Sequence, residues 1–283
     1  MDINNIAVIG GGTMGNGIAH TFALNAFNVS LVETSEDLLA KAMATISINL
    51  DRQVNKQIIS AGEKDLCLSR ITKVVGIENI ENDVQLIIEA IYENKDAKIS
   101  IFKKLDNRLN PDCIFATNTS AISITELASA CRPNKFIGMH FMNPVPVMKL
   151  VEIIRGYSTS DETYNTIKNL TERINKVPVE VYDYPGFISN RILMPMINES
   201  IFTLMEGVAS KEAIDSVMKL GMAHPMGPLS LADFIGLDVC LAIMNVLYEG
   251  FSDSKYKPCP LLKKMVAANK LGRKTGEGFY KYD

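Results

Sequence analysis

The chain is short of histidine, of paired cysteines, of basic clusters and of uninterrupted apolar sequence, and each shortage closes off a class of function. Its five cysteines (Cys67, Cys113, Cys131, Cys240 and Cys259) are odd in number and widely spaced, with no C-x-x-C pair. Neither a disulfide frame nor a zinc site is expected; the thiols read as reduced, the location as cytoplasmic, and no metal is expected. Net charge is only -3, and no run of lysine or arginine exceeds two or three residues. With no RNA-reading aromatic motif either, no nucleic-acid partner is expected. No 18-residue window is both apolar and free of charge, and Met1-Asp2-Ile3-Asn4-Asn5 puts no basic region ahead of an apolar stretch. Membrane span and signal peptide are therefore not expected. There is no internal repeat and no low-complexity tract.

What is present is ample core material: 47% hydrophobic and 22% charged residues in 283 suit one or two packed domains. The apolar strand Ile6-Ala7-Val8-Ile9 runs into the turn Gly10-Gly11-Gly12-Thr13-Met14-Gly15, then a helix, then the strand Val29-Ser30-Leu31-Val32 ending in Glu33. In the spacing Gly10-x-Gly12-x-x-Gly15 the first glycine permits a tight turn. The second lets backbone approach a pyrophosphate, and the third lets helix and strand pack closely. The helix N-terminus, including Thr13 and Met14, offers its positive end to that phosphate. Glu33 stands where an acid can meet ribose hydroxyls, and Thr34, Ser35, Glu36 and Asp37 supply no cation for a 2′-phosphate. NAD, not NADP, is the expected cofactor.

From Ser35 to Ser60 apolar residues recur at Leu39, Met43, Ile46, Leu50, Val54 and Ile58, the spacing of a long amphipathic helix. With the segment after Gly62 it forms a helical arm, about residues 35–70. Strand signals return at 84–89, 113–116 and 136–141, separated by helical patterns such as Lys95 to Leu109. Two more, 149–154 and 177–181, flank a helix from Asp161 to Lys176. Such alternation predicts an α/β, Rossmann-like, doubly wound parallel sheet over residues 1–184. After Tyr184-Pro185-Gly186 the strand runs stop. Helical spacing over 190–207, 211–220, 229–248 and 260–269 predicts an all-helical domain, 185–283, whose apolar faces suit a homodimer.

Of the three histidines, His140 ends a strand, where open α/β sheets bind ligands. Glu152, the only acid in Leu150-Val151-Glu152-Ile153-Ile154, reaches the imidazole if the chain folds back about the proline-rich turn 143–146. A carboxylate-oriented histidine is a general acid/base pair; the bland alternative is an ion pair near a turn. His20 reads as a polar residue on a partly exposed helix face, and His224 as part of a loop set by proline and glycine. Ser123 and Glu126 form a capping box, which leaves Ser120, in Asn118-Thr119-Ser120 at the same sheet edge, for a ligand. The tail Gly272 to Tyr280 is glycine-rich and basic but not a P-loop. It is either a flexible terminus or a contact with a nucleotide or with the acyl site.

Together these segments resemble the L-3-hydroxyacyl-CoA dehydrogenase family, and within it the compact bacterial 3-hydroxybutyryl-CoA dehydrogenases. Gly10 to Gly15, Glu89-Ala90-Ile91-Tyr92-Glu93-Asn94, Asn118 to Ser120, Met139 to Leu150, Pro185 to Arg191, His224 to Pro228 and Gly272 to Tyr280 carry the likeness, in order, over almost the whole chain. The resemblance implies reversible NAD-dependent hydride transfer between 3-hydroxy and 3-oxo acyl-CoA, here acetoacetyl-CoA and 3-hydroxybutyryl-CoA. It implies His140 as base, Glu152 as its orienting acid, and Ser120 and Asn190 as hydrogen-bond partners of the reacting group. Cofactor contacts fall on Glu33, Glu93, Lys98, Ser120, Asn143 and Lys274, and CoA contacts on Lys56, Lys98 and the neighbourhood of Asn49. Two departures stand out: Glu33 replaces the family's usual aspartate, and Asn49 a frequent serine. A broader short-chain enzyme of fatty-acid oxidation, or a crystallin-like protein without the reaction, are the other readings.

Overall fold

The computed structural model describes residues 3–282, and the chain divides between Asp183 and Tyr184 into two compact units. The first is built on eight strands: β1 (Asn5–Ile9), β2 (Asn28–Glu33), β3 (Ile71–Val75), β4 (Leu86–Glu89), β5 (Ile114–Thr117), β6 (Phe136–Phe141), β7 (Leu150–Arg155) and β8 (Val177–Tyr182). Their order is β3-β2-β1-β4-β5-β6-β7-β8. Every neighbouring pair is parallel except β6 and β7, which run antiparallel. Strands covered on both faces need apolar residues throughout, and β4 and β5 are buried at every position. The strand β3 is absent from the sequence expectations: Ile71-Thr72-Lys73-Val74-Val75 alternates too weakly to stand out from the arm.

Around the sheet lie α1 (Thr13–Leu24), α2 (Glu36–Asn55), α3 (Ala61–Ser69), α4 (Lys95–Asp106), α5 (Ile124–Ala128) and α6 (Asp161–Arg173). Local chemistry sets their starts. The Ser35 hydroxyl accepts from Leu38 N–H, Ser60 and Glu63 form a reciprocal capping box, and the Asn94 side chain accepts from Ala97 N–H. Two expectations are corrected here. The arm helix does not run to Ser60: α2 ends at Asn55, Lys56 caps it, and Gln57 turns left-handed at φ 56°. Leu39, Ala42, Ile46 and Leu50 are its buried stripe, while Ile58 lies outside it and is exposed. And His20 is not on an exposed face: it is fully buried in α1.

The second unit holds α7 (Ser189–Met205), α8 (Lys211–Gly221), α9 (Pro228–Ile235), α10 (Leu237–Phe251) and α11 (Pro260–Ala267) around Met194, Ile201, Leu229, Leu237, Leu247 and Leu262. The single helix expected over 229–248 is two, meeting at 98°. Gly236, at φ 104°, makes the break, a conformation that a side chain would resist. The tail is ordered: buried Asp233 accepts the N–H groups of Phe279 and Tyr280, each at 2.9 Å, and the Tyr282 hydroxyl at 3.0 Å. Among the described residues no single helix is long and apolar enough to cross a bilayer.

Candidate active site

The strand order reverses at β1, between β2 and β4, and a doubly wound sheet binds its ligand in the crevice at such a switch point. The glycine turn lies there. Gly10 takes φ 96°, and a side chain on it would come within 2.8 Å of the Ala90 carbonyl oxygen; one on Gly15 would collide with the Gly10 carbonyl. A side chain on Gly12 would meet nothing within 4 Å, so at that residue the backbone stands open to a ligand. Gly10, Gly12 and Glu33 line a cavity of about 740 Å³ with Leu38, Ile77 and Ile101. The Glu33 carboxylate accepts from Gly11 N–H at 2.7 Å and from Thr34 N–H at 3.0 Å, so the longer acid is fixed against the turn. Gly12 and the start of α1, where Thr13 is exposed and Met14 half-buried, are the kind of backbone that receives a nucleotide's phosphates. Lys104 of α4 also lines the cavity, a cation that sequence order gave no reason to place there.

At the carboxyl edges of β4 and β5 the chain builds a charged network. Lys98, fully buried, donates to both oxygens of fully buried Glu89, at 2.7 and 2.8 Å. Glu89 also accepts from Ile91 N–H at 2.7 Å and from the Thr117 hydroxyl at 2.6 Å. On the outer side Glu93 lies 3.4 Å from the Lys98 ammonium and accepts from the Thr119 hydroxyl and from Ser120 N–H. The structure thus joins Glu93, Lys98 and Ser120, all expected at the site. Lys98, assigned to both cofactor and CoA, has no exposed side chain in this structure, and its ammonium pairs with Glu89. Glu89 itself was missed, although it shows the signal that marks Glu152, a lone acid in a buried strand.

His140 and Glu152 are direct partners in the β6–β7 register, so their side chains share one face of the sheet. His140 Nδ1 lies 2.7 Å from Glu152 Oε2, and both residues are buried. A carboxylate only accepts, so Nδ1 carries the proton of that bond. The Asn118 side chain accepts from Phe141 N–H at 3.0 Å, tying the β5 loop to the strand end beside His140. Lys176, nearly buried, donates to the carbonyls of Val145 at 2.6 Å and Met148 at 2.7 Å, pinning the turn that joins β6 to β7. Asn143 is exposed in that turn, before the cis bond to Pro144.

The Ser123 cap is only half a box. Its hydroxyl accepts from Glu126 N–H, but Glu126 pairs with Lys95, and Ser123 donates to Asp183, which also accepts from Ile124 and Thr125 N–H. On the arm, Lys56 is exposed at the α2 cap and Asn49 accepts from Arg52 at 3.4 Å. In the second unit Asn190 is buried in the first turn of α7, and Lys274 donates to Asp238 at 2.6 Å. His224 is half-buried in the loop before α9. Among the described residues no group of three or more acidic, histidine or cysteine side chains is arranged to hold a metal.

Family models of the 3-hydroxyacyl-CoA dehydrogenase NAD binding domain and C-terminal domain match residues 5–184 and 186–282. The chain is 54% identical to a 3-hydroxybutyryl-CoA dehydrogenase of Bradyrhizobium diazoefficiens, over 99% of this chain and 96% of that one. It is 53% identical to the protein of that name from Clostridioides difficile, over 98% and 99%. Among solved structures, (S)-3-hydroxybutyryl-CoA dehydrogenase PaaH1 from Ralstonia eutropha superposes with a TM-score of 0.97 at 47% identity, each chain covered completely.

Proposed function

Because the chain belongs to the 3-hydroxyacyl-CoA dehydrogenase family, whose members are NAD-dependent oxidoreductases, we propose that it interconverts (S)-3-hydroxybutyryl-CoA and acetoacetyl-CoA with His140 as general acid/base. The observation that carries the residue roles is the buried His140–Glu152 pair, 2.7 Å apart across β6 and β7. Bound NAD supplies the hydride acceptor for C3 of the hydroxyacyl group, and NADH the donor in reverse. His140 takes the hydroxyl proton through Nε2 as the carbonyl forms, while Glu152 holds the Nδ1 proton and stabilises the imidazolium. Such proton transfer is commonly worth roughly 10²- to 10⁴-fold in rate. In reduction the imidazolium returns the proton to the same oxygen. Ser120, fixed by its N–H to Glu93, and Asn190 are the groups assigned to the substrate oxygen. Lys56, exposed at the end of α2, is assigned to the CoA phosphates.

The second unit exposes large apolar side chains, among them Ile192, Val208, Val217, Leu220 and Met222, which supports a homodimer. Five free thiols suit a reducing, cytoplasmic setting, with butyrate metabolism as its context. The decisive assay is NADH oxidation with acetoacetyl-CoA against longer 3-oxoacyl-CoA substrates. The expected result is the highest kcat/KM for the four-carbon thioester. A maximum at longer chains would move the assignment to the broader fatty-acid enzyme, and no turnover at all would leave a non-catalytic family member.

A further inference from the structure

The β4-edge network balances charge in a way that the general acid/base pair does not require. Glu89 and Glu93 are two carboxylates facing one ammonium, Lys98, so the chain Glu89–Lys98–Glu93 carries one net negative charge. Its inner end is sealed: Glu89 and Lys98 have no exposed side chain. Its outer end, Glu93, is 42% exposed. The strand order sets β4 and β5 between the glycine turn of β1 and His140 on β6. At about 4.8 Å per strand, roughly 14 Å separate β1 from β6, so a dinucleotide reaching from the turn to His140 must cross the edge where Glu93 stands. The nicotinamide ring is cationic in NAD+ and neutral in NADH, and a fixed negative charge nearby in a partly desolvated site distinguishes the two.

We infer that Glu89 is a positioning residue that sets the charge of this edge, so that the network favours the oxidised over the reduced cofactor. The inference rests on the NAD reading above. Without Glu89, Lys98 would neutralise Glu93 alone and the net charge would fall to zero. With Glu89, half of the ammonium's work is done from inside, and Glu93 keeps a carboxylate oxygen for Thr119 and Ser120. The Ile91 N–H and Thr117 hydroxyl that also point at Glu89 hold it in place without changing the sum.

The test is equilibrium binding, by titration of NADH fluorescence and displacement by NAD+, on the wild type, Glu89→Gln and Thr117→Val. Glu89→Gln keeps the shape and an acceptor for Lys98 but removes one charge. It is expected to raise the ratio Kd(NAD+)/Kd(NADH) about three- to tenfold, the scale of one charge acting over about 10 Å at an effective dielectric between about 25 and 50. Thr117→Val, which removes a hydrogen bond and no charge, is expected to leave the ratio within about twofold, although it costs stability. A Glu89→Gln protein that weakens both nucleotides equally, or a Thr117→Val protein that moves the ratio as far, would overturn the inference. If Glu89→Gln does not fold, Glu93→Gln removes the same charge from the outer end and must move the ratio in the same direction; an unchanged ratio there also overturns it. A wild type that binds neither nucleotide would fail the NAD reading itself, a separate outcome.

Discussion

Two histidines of the first unit are buried in opposite electrostatic company. His140, at the carboxyl edge of the sheet, faces the Glu152 carboxylate at 2.7 Å. His20, fully buried on α1, has the Gln53 amide at 3.5 Å from Nε2, no hydrogen-bond partner for Nδ1, and the Lys176 ammonium as the charge that acts on it. Burial, then Lys176, push the His20 imidazole down to about 4, so it stays neutral through the ordinary pH range. An imidazole that must accept a proton needs an anion built in beside it, and one that serves as core filling must be kept from that proton. Both imidazoles are buried, but only His140 has a carboxylate beside it, while His20 has burial and then a cation acting against its charged form.

The sharpest break in the comparison is His140→Gln. The amide keeps a donor toward Glu152 but cannot take the substrate proton, so kcat is expected to fall by at least about a hundredfold while the Kd for NADH stays close to that of the wild type. Stopped-assay kinetics with acetoacetyl-CoA, beside a binding titration, checks both. Next comes Glu152→Gln, which leaves a carbonyl to accept from Nδ1 but removes the charge that stabilises the imidazolium. A loss of roughly tenfold or more in kcat is expected. The double variant should lose scarcely more than His140→Gln, because Glu152 acts through the imidazole. Additive losses would mean that Glu152 serves the fold or the substrate on its own account.

The partition between what the sequence revealed and what it hid follows the range of the interactions. The strand Phe136–Phe141 was legible to the residue because six successive positions are buried, and the expected contact of His140 with Glu152 needed only a turn between neighbouring strands. His20 was misread because one histidine in a helix of mean apolar character gives no sign of which neighbours close over it; α2 and α3 do so from 33 and 47 residues away. The pairing of Lys98 with Glu89 was hidden because a lysine's partner is invisible until the fold brings it near. Gly236 hid a 98° break because glycine is tolerated within a helical pattern until a positive φ is required.

His20 sharpens the comparison through pH. Its folded value, about 4, lies below the 6.5 of the unfolded chain, so between these the unfolded state binds the extra proton. Stability from this group is therefore complete above about pH 6.5 and is lost as pH falls toward 4, a change on the order of 3 kcal/mol. His20→Met should flatten that limb of the urea-midpoint profile while changing kcat at neutral pH less than about threefold. A variant whose profile keeps the wild-type slope between pH 6.5 and 4 would show that His20 is already accessible to protons.

The smallest effect belongs to Lys176, whose charge acts on His20 and whose hydrogen bonds hold the turn beside His140. Its ammonium adds to the field on His20 and binds the Val145 and Met148 carbonyls in the turn between the strands of His140 and Glu152. Lys176→Met keeps the apolar stem and removes the charge and two hydrogen bonds. Because burial is the larger cause of the His20 shift, the acid limb should move little, by well under half of its span. The two carbonyls lose their donor, which costs about 1–3 kcal/mol in overall stability at every pH. A looser turn lets Glu152 sample positions off the imidazole, so kcat should fall a few-fold with KM for acetoacetyl-CoA nearly unchanged, a split that uniform destabilisation does not produce. A Lys176→Met enzyme with normal kcat would mean that β-sheet pairing alone holds the two residues in register. An acid limb abolished by the same change would mean that the ammonium, rather than burial, keeps His20 neutral.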